Sequence, residues 1–229
     1  MVTLVLLPGM DGTGLLFSDF IAAMGSDVEI IVVTYPTDII LDYFELEKVA
    51  RTLLPVDRPF LILGESFSGP IAISLAAAKP AGLVGLILCC TFAKNPQPLL
   101  AVIRPFMGLL PVVAVPLSLL SYLLMGRFFK PELERVYAHA LKVVTPAVLK
   151  NRLHSALSVD VTAFLSTISV PVLYLRATED KVVPRSCSLR IAKLMPKLCI
   201  VDIAAPHFLL QTAPIKATSV VLEFIRAKC

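Results

Sequence analysis

A chain of 229 residues, 57% hydrophobic and 17% charged, suits one folded domain with a small insertion and excludes a disordered polypeptide. Ordinary soluble domains are about 45–50% apolar and about 25% charged, so the surplus must fill a large core, a greasy pocket or a membrane-facing patch. The net charge is only +4, and neither a Lys/Arg-rich run nor an aromatic-basic pattern points to nucleic acid.

Short apolar runs bounded by turn residues alternate with helical patterns along most of the chain. Strands are predicted at residues 3–7, 28–33, 60–63, 83–89, 170–175 and 198–203. Most are nearly all apolar, as strands covered on both faces should be. Between them, helices are predicted at 15–24, 41–54, 67–78, 184–194 and 214–227, the last two with proline near the first turn. This βα rhythm predicts an α/β fold: a doubly wound, mainly parallel sheet of about six strands.

The rhythm breaks once. About eighty residues separate Cys90 from Ser169, where a crossover of a dozen or so would suffice. Helical patches at 99–106, 112–125, 131–144 and 146–155 suggest an inserted helical cap over residues 93–160, with the core formed by 1–92 and 161–229. Residues 106–125 carry no charge and are long enough to cross a bilayer. Pro111 and Pro116 interrupt them, so a lid or interface-facing cap is the preferred reading. Eight basic residues lie between 92 and 160 (Lys94, Arg104, Arg127, Lys130, Arg135, Lys142, Lys150 and Arg152) against Glu132, Glu134 and Asp160. The basic excess therefore belongs to this segment. It suggests an anionic lipid surface or an acidic carrier protein as partner; the plainer reading is a solvated face.

The third predicted strand runs into Gly64-Glu65-Ser66-Phe67-Ser68-Gly69, and a helix of small residues begins at once. A strand–turn–helix with glycine two residues before a serine is the context of a nucleophile elbow. The turn is sharp, so its neighbours must be small; Ser68 stands where a second glycine is usual. Of three histidines, His207 lies four residues past the last strand, at a carboxyl end where open α/β sheets build their sites. His139 and His154 fall in cap helices and read as solvated or packing residues. Asp180, with Glu179 as competitor, follows the fifth strand. The order Ser66, Asp180, His207 suits a nucleophile, an orienting acid and a base. After the first strand comes Leu7-Pro8-Gly9-Met10-Asp11-Gly12-Thr13-Gly14. The backbone N–H groups of Met10 and Phe67 are expected to converge on an oxyanion.

Taken together, these stretches resemble the α/β-hydrolase superfamily from first strand to last helix. The oxyanion stretch is similar to those of bacterial carboxylesterases and of phytyl ester synthase-type acyltransferases, with Pro8-Gly9 where His-Gly is common. Thr178-Glu179-Asp180-Lys181-Val182-Val183-Pro184 resembles the family's acid motif, which favours Asp180 over Glu179, and Pro206-His207-Phe208 resembles its histidine motif. Members usually begin with an antiparallel strand pair; here the strand leading to the oxyanion loop already starts at residue 3, so that pair is expected to be missing. The resemblance implies a serine hydrolase acting on esters of short to medium acyl chains through an acyl-enzyme. The alternatives are an acyltransferase, a thioesterase or lactonase using the same residues, or a non-catalytic hydrolase-fold binding module. A nucleotide site at Gly9-x-x-Gly12-x-Gly14 has the wrong spacing, and no acid ends the second strand.

No metal or organic cofactor is expected: HExxH, a Cys/His cluster and a P-loop are all lacking in the sequence. The five cysteines form no CxxC and read as free thiols of a reducing compartment. The first apolar run has no basic start and ends at Pro8-Gly9, so a cytoplasmic location is expected, with peripheral membrane contact through the cap.

Overall fold

The computed structural model describes residues 2–26, 28–97 and 115–227. Six strands form one sheet: β1 (Thr3–Leu7), β2 (Glu29–Val32), β3 (Phe60–Glu65), β4 (Leu83–Cys89), β5 (Val172–Ala177) and β6 (Cys199–Ile203). Their order is β2-β1-β3-β4-β5-β6, and every pairing is parallel. An antiparallel strand pair before β1 has no counterpart in this sheet of described residues.

The side-chain alternation of the central strands divides the interior into two apolar layers. Val5, Leu7, Ile62 and Leu86 face one layer, which also takes up helices α2 (Tyr43–Arg51) and α3 (Gly69–Ala77). Leu4, Leu6, Leu61, Leu63 and Ile87 face the other, against α1 (Ser18–Met24) and the long carboxyl-terminal helix. With both faces covered, β1, β3 and most of β4 are fully buried, whereas the edge strands β2 and β6 are partly exposed. The polar positions of β6 follow from its edge place: Asp202 lies opposite Arg176 of β5 and takes its guanidinium in a two-pronged pair at 2.5 and 2.9 Å.

Between β4 and β5 lie α4 (Leu117–Met125), α5 (Pro131–Val143) and α6 (Pro146–Ala156). The predicted helix at 99–106 and the start of that at 112–125 lie outside the described residues. The two ends of the segment run side by side. Lys94 bridges Asp160 and pairs with its carboxylate at 2.7 Å, and Val161 N–H donates to the Ala93 carbonyl at 2.8 Å. Among the described residues, no helix is long and apolar enough to cross a membrane.

Beyond β5 come α7 (Arg185–Leu194), the short α8 (Leu209–Thr212) and α9 (Pro214–Arg226). The sequence pattern does not reveal α8, because four residues are too few to show a helical period. It also reads as one helix what the structure divides into a 3₁₀ turn, Leu15–Phe17, followed by α1.

The chain winds outward from β1 to β2 and then returns to β3 on the other side of β1. That reversal leaves a crevice at the carboxyl ends of β1 and β3, the place where such sheets bind ligands. Leu7 pairs with Gly64, so the loop from Pro8 and the turn at Ser66 leave the sheet side by side.

Candidate active site

Ser66 follows β3 directly with φ of 48°, one of three non-glycine residues in the left-handed region among those described. Such a conformation costs roughly 1–3 kcal/mol and persists only where the surroundings impose it. Here the neighbours do. A Cβ on Gly64 would lie 2.6 Å from the Ala72 Cβ and 2.9 Å from the Ser68 carbonyl, and one on Gly69 would lie 1.9 Å from Thr91 Oγ1. Thr91 in turn donates its hydroxyl to the Ser66 carbonyl. A 3₁₀ turn, Ser66–Ser68, then leads into α3.

The structure brings Ser66, His207 and Asp180 into one chain of hydrogen bonds. Ser66 Oγ lies 2.8 Å from His207 Nε2, and His207 Nδ1 lies 2.9 and 3.0 Å from the two Asp180 carboxylate oxygens. The side chains of His207 and Asp180 are only 4% and 7% exposed, which removes them from competing water. Asp180 Oδ1 also accepts from the backbone N–H groups of Val182 and Val183 at 2.8 and 2.9 Å, which fixes the carboxylate's direction. The loops carrying Asp180 and His207 are joined by hydrogen bonds from Thr178 and Glu179 N–H to the Ile203 and Ala205 carbonyls, both 3.0 Å. Glu179, the competitor, turns toward the 3₁₀ turn Gly126–Phe128 after α4 and forms a bidentate pair with Arg127, the shortest contact 2.6 Å. His139 and His154 are exposed on α5 and α6.

Burial by itself depresses the basicity of His207. The Asp180 charge, its hydrogen bond and the nearby Glu65 carboxylate outweigh that and raise the pKa above the ordinary value. Glu65 is buried beside Ser66, and burial pushes its pKa up to about 7; Gln211 Nε2 donates to it at 2.9 Å.

Met10 sits in a tight turn closed by the Gly12 N–H to Gly9 carbonyl bond of 3.0 Å, and Phe67 is buried in the turn after Ser66. Ser68 joins these two loops: its hydroxyl donates to the Pro8 carbonyl and accepts from Tyr35 Oη at 2.8 Å. The Tyr43 hydroxyl donates to the Phe67 carbonyl at 3.0 Å, and its ring stacks on Phe67 with centroids 4.7 Å apart. From sequence, Ser68 reads only as a small residue; a serine in place of the usual glycine was the available sign of its link to Pro8.

The helices between β4 and β5 reach the same loops. Phe208 N–H donates to the Leu124 carbonyl at 3.0 Å, and its ring meets Tyr137 edge-on at 5.3 Å. Lys181 Nζ stands 3.6 Å above the Tyr122 ring. The basic excess of this segment is partly consumed. Lys94, Arg127 and Arg135 are in ion pairs with Asp160, Glu179 and Glu132, and Arg152 is buried rather than presented on an outer face. Cys89, Cys90 and Cys187 are free and buried, Cys199 free and exposed. No group of His, Cys, Asp and Glu suited to a metal ion occurs among the described residues.

The sequence model of the alpha/beta hydrolase family matches residues 4–219. The chain belongs to the α/β-hydrolase family. RutD of Caulobacter sp. (strain K31), named for carbamate hydrolysis, is 35% identical over 96 residues, 41% of this chain and 35% of that relative's length. In structure this α/β hydrolase is similar to MenH from S. aureus, with a TM-score of 0.82 at 16% identity, covering 100% of this chain and 94% of the other. It is also similar to the esterase RhEst1 from Rhodococcus sp. ECU1013, with a TM-score of 0.77 at 20% identity, covering 100% and 91%. The enol-lactonase from Burkholderia xenovorans LB400 gives a TM-score of 0.77 at 15% identity, covering 97% and 90%. At these identities the structural likeness concerns the fold.

Proposed function

We propose that this α/β hydrolase cleaves carboxylic esters of short to medium acyl chains, with Ser66 as nucleophile, His207 as general base and Asp180 as the acid that orients it. The observation that carries this reading is the 2.8 Å contact from Ser66 Oγ to His207 Nε2, continued at 2.9 Å from Nδ1 to Asp180. His207 takes the Ser66 proton as Oγ attacks the ester carbonyl, and Asp180 stabilises the imidazolium. The N–H groups of Met10 and Phe67 hold the oxyanion. His207 then protonates the leaving alcohol, and water, activated by the same imidazole, releases the acid from the acyl-enzyme. RutD's name supports attack on an acyl carbonyl, though carbamate in place of ester.

A series of p-nitrophenyl esters of rising chain length tests the substrate class. The apolar segment 99–125, of which residues up to 114 lie outside those described, is proposed to hold the acyl chain. Each buried CH₂ contributes up to about 0.8 kcal/mol, so kcat/KM should rise about fourfold per carbon beyond acetate until the site is full. A flat series would remove the acyl-site assignment. Adding an alcohol acceptor to the same assay distinguishes transfer from hydrolysis by the yield of new ester.

The pH profile follows from His207. Only the free imidazole can accept the Ser66 proton, and its pKa is raised in the folded protein. Activity should therefore fall as pH drops, with the midpoint above the ordinary histidine value of about 6.5. A kcat/KM profile whose acid limb lies below that value would show burial prevailing over Asp180.

A further inference from the structure

Arg152 is 1% exposed, the largest fully buried side chain among those described. It projects from α6, whose seat is fixed by Thr145 N–H donating to the Thr37 carbonyl at 2.8 Å and by Asn151 donating to the Leu41 carbonyl at 2.9 Å. Its guanidinium donates from Nη1 to the carbonyls of Met10 and Asp11 at 2.9 and 2.7 Å, and from Nη2 to that of Pro36 at 2.9 Å. Among the described residues no carboxylate forms an ion pair with it; the Asp11 carboxylate instead accepts from Thr13 N–H at 2.9 Å and from the Thr13 hydroxyl. Its hydrogen bonds all go to carbonyls; the Tyr35 ring lies 5.7 Å from it and the Asp11 charge acts on it without a direct pair, so burying this cation is still costly. An apolar side chain would attach α6 to the core at lower cost, so the use of arginine calls for a geometric reason.

The reason lies in the turn it grips. Five successive carbonyls are each engaged: Pro8 by Ser68, Gly9 by Gly12 N–H, Met10 and Asp11 by Arg152, and Gly12 by Tyr35 N–H at 2.8 Å. A trans peptide is planar, so its N–H points opposite to its carbonyl. Fixing the Gly9 carbonyl inside the turn therefore fixes the Met10 N–H, which has no hydrogen-bond partner among the described residues. Arg152 holds the second and third of that turn's three peptides, Met10–Asp11 and Asp11–Gly12, and the latter carries the N–H that engages the Gly9 carbonyl. Its fit is close: a Cβ on Gly12, where φ is 71°, would lie 2.5 Å from Nη1.

We propose that Arg152 is a positioning residue for ester hydrolysis, holding the turn at residues 9–12 so that the Met10 N–H faces the oxyanion formed on Ser66. This rests on the reading of Ser66 as nucleophile. Without the guanidinium, the Met10 and Asp11 carbonyls lose their partners, the turn rotates to find others, and the oxyanion keeps only the Phe67 donor. The loss falls on the transition state, because the planar ester carbonyl uses the donors less than the tetrahedral oxyanion does.

The test uses the full chain with p-nitrophenyl butyrate, comparing wild type, Arg152→Gln and Arg152→Lys. Stoichiometric titration with a fluorophosphonate gives the concentration of competent Ser66, so misfolded protein does not count. In Arg152→Gln, kcat per titrated serine should fall about 10- to 10³-fold, the range for weakening or losing one oxyanion donor. KM should stay within about threefold, as expected for an interaction made mainly in the transition state. The acid limb of the pH profile should not move, since His207 and Asp180 are untouched. Arg152→Lys should recover part of kcat, because an ammonium still donates to carbonyls. A kcat per titrated serine within about twofold of wild type overturns the proposal, as does a joint shift of kcat, KM and acid limb. If Arg152→Gln does not fold, Gly12→Ala displaces the guanidinium and should show the same selective loss of kcat; wild-type kcat there equally overturns it. If wild-type protein neither hydrolyses esters nor reacts with the fluorophosphonate, the assignment of Ser66 fails instead.

Discussion

Ser66→Ala should abolish ester hydrolysis, lowering kcat by at least about 10⁴-fold and by up to the order of 10⁶, the scale on which a lost nucleophile acts. The change removes one oxygen and leaves the turn intact. Alanine bears the same Cβ as serine, so the strain at φ of 48° is nearly unchanged, and Gly64 and Gly69 still leave room for it. Ser66 is the terminal donor of the relay, and its removal breaks the hydrogen bond to His207. Stability measured by urea unfolding should thus stay within about 1 kcal/mol of wild type. A fluorophosphonate should label wild type at Ser66 and leave the variant unlabelled. Retained turnover in Ser66→Ala, or label on Ser68, would remove the assignment of the nucleophile. Ser68 is a poor candidate on geometry, since its hydroxyl is fully buried and already donates to the Pro8 carbonyl.

The parts of this site that are local in sequence were legible before the structure. Gly64, Ser66 and Gly69 reveal themselves because a sharp turn restricts side-chain size over a few residues, and the pattern ahead of them marks the strand. Asp180 and His207 each follow a strand at its carboxyl end, and strand order supplies the rest. What sequence could not show is where long side chains go after leaving their helix. Arg152 counted as one more charge in a basic segment, yet it crosses to the turn at Met10 and Asp11. Its distance from those residues along the chain leaves no periodic signal. Tyr35 is illegible for the same reason, and Ser68 shows only as a serine where glycine is usual: its bonds to Tyr35 and to Pro8 exist only once β1, β3 and the loop after β2 lie together. The short α8, four residues long, likewise falls below the length at which apolar spacing distinguishes a helix.

The helices between β4 and β5 are bonded to the loops around the crevice. The carbonyl of Leu124 holds Phe208 next to His207, Arg127 holds Glu179 next to Asp180, and Arg152 holds the turn of Met10. Three loops that carry the proposed machinery are thus each tied to this segment, and each tie falls on a site residue or one residue from it. A shift of α4 to α6 would be felt at the loops of Asp180, His207 and Met10 together.

Exchange of the acid gives the second large effect and separates Asp180 from its neighbour. Asp180→Asn should lower kcat by about 10⁴-fold, because the amide cannot stabilise the imidazolium and favours the wrong histidine tautomer. The backbone donors of Val182 and Val183 make this sharper: they point at Oδ1, so they select the amide oxygen there and turn the NH₂ group toward His207 Nδ1. Nδ1 then accepts, Nε2 carries the hydrogen, and Ser66 Oγ faces a donor where it needs a base. The remaining activity should shift its acid limb to lower pH, since the Asp180 charge and hydrogen bond are what lift the His207 pKa against burial. Glu179→Gln is the control one residue away. It breaks the pair with Arg127, whose guanidinium is largely exposed, so kcat should stay within about threefold and stability should hardly change. Measured side by side, a severe Glu179→Gln and a mild Asp180→Asn would reverse the roles of the two carboxylates.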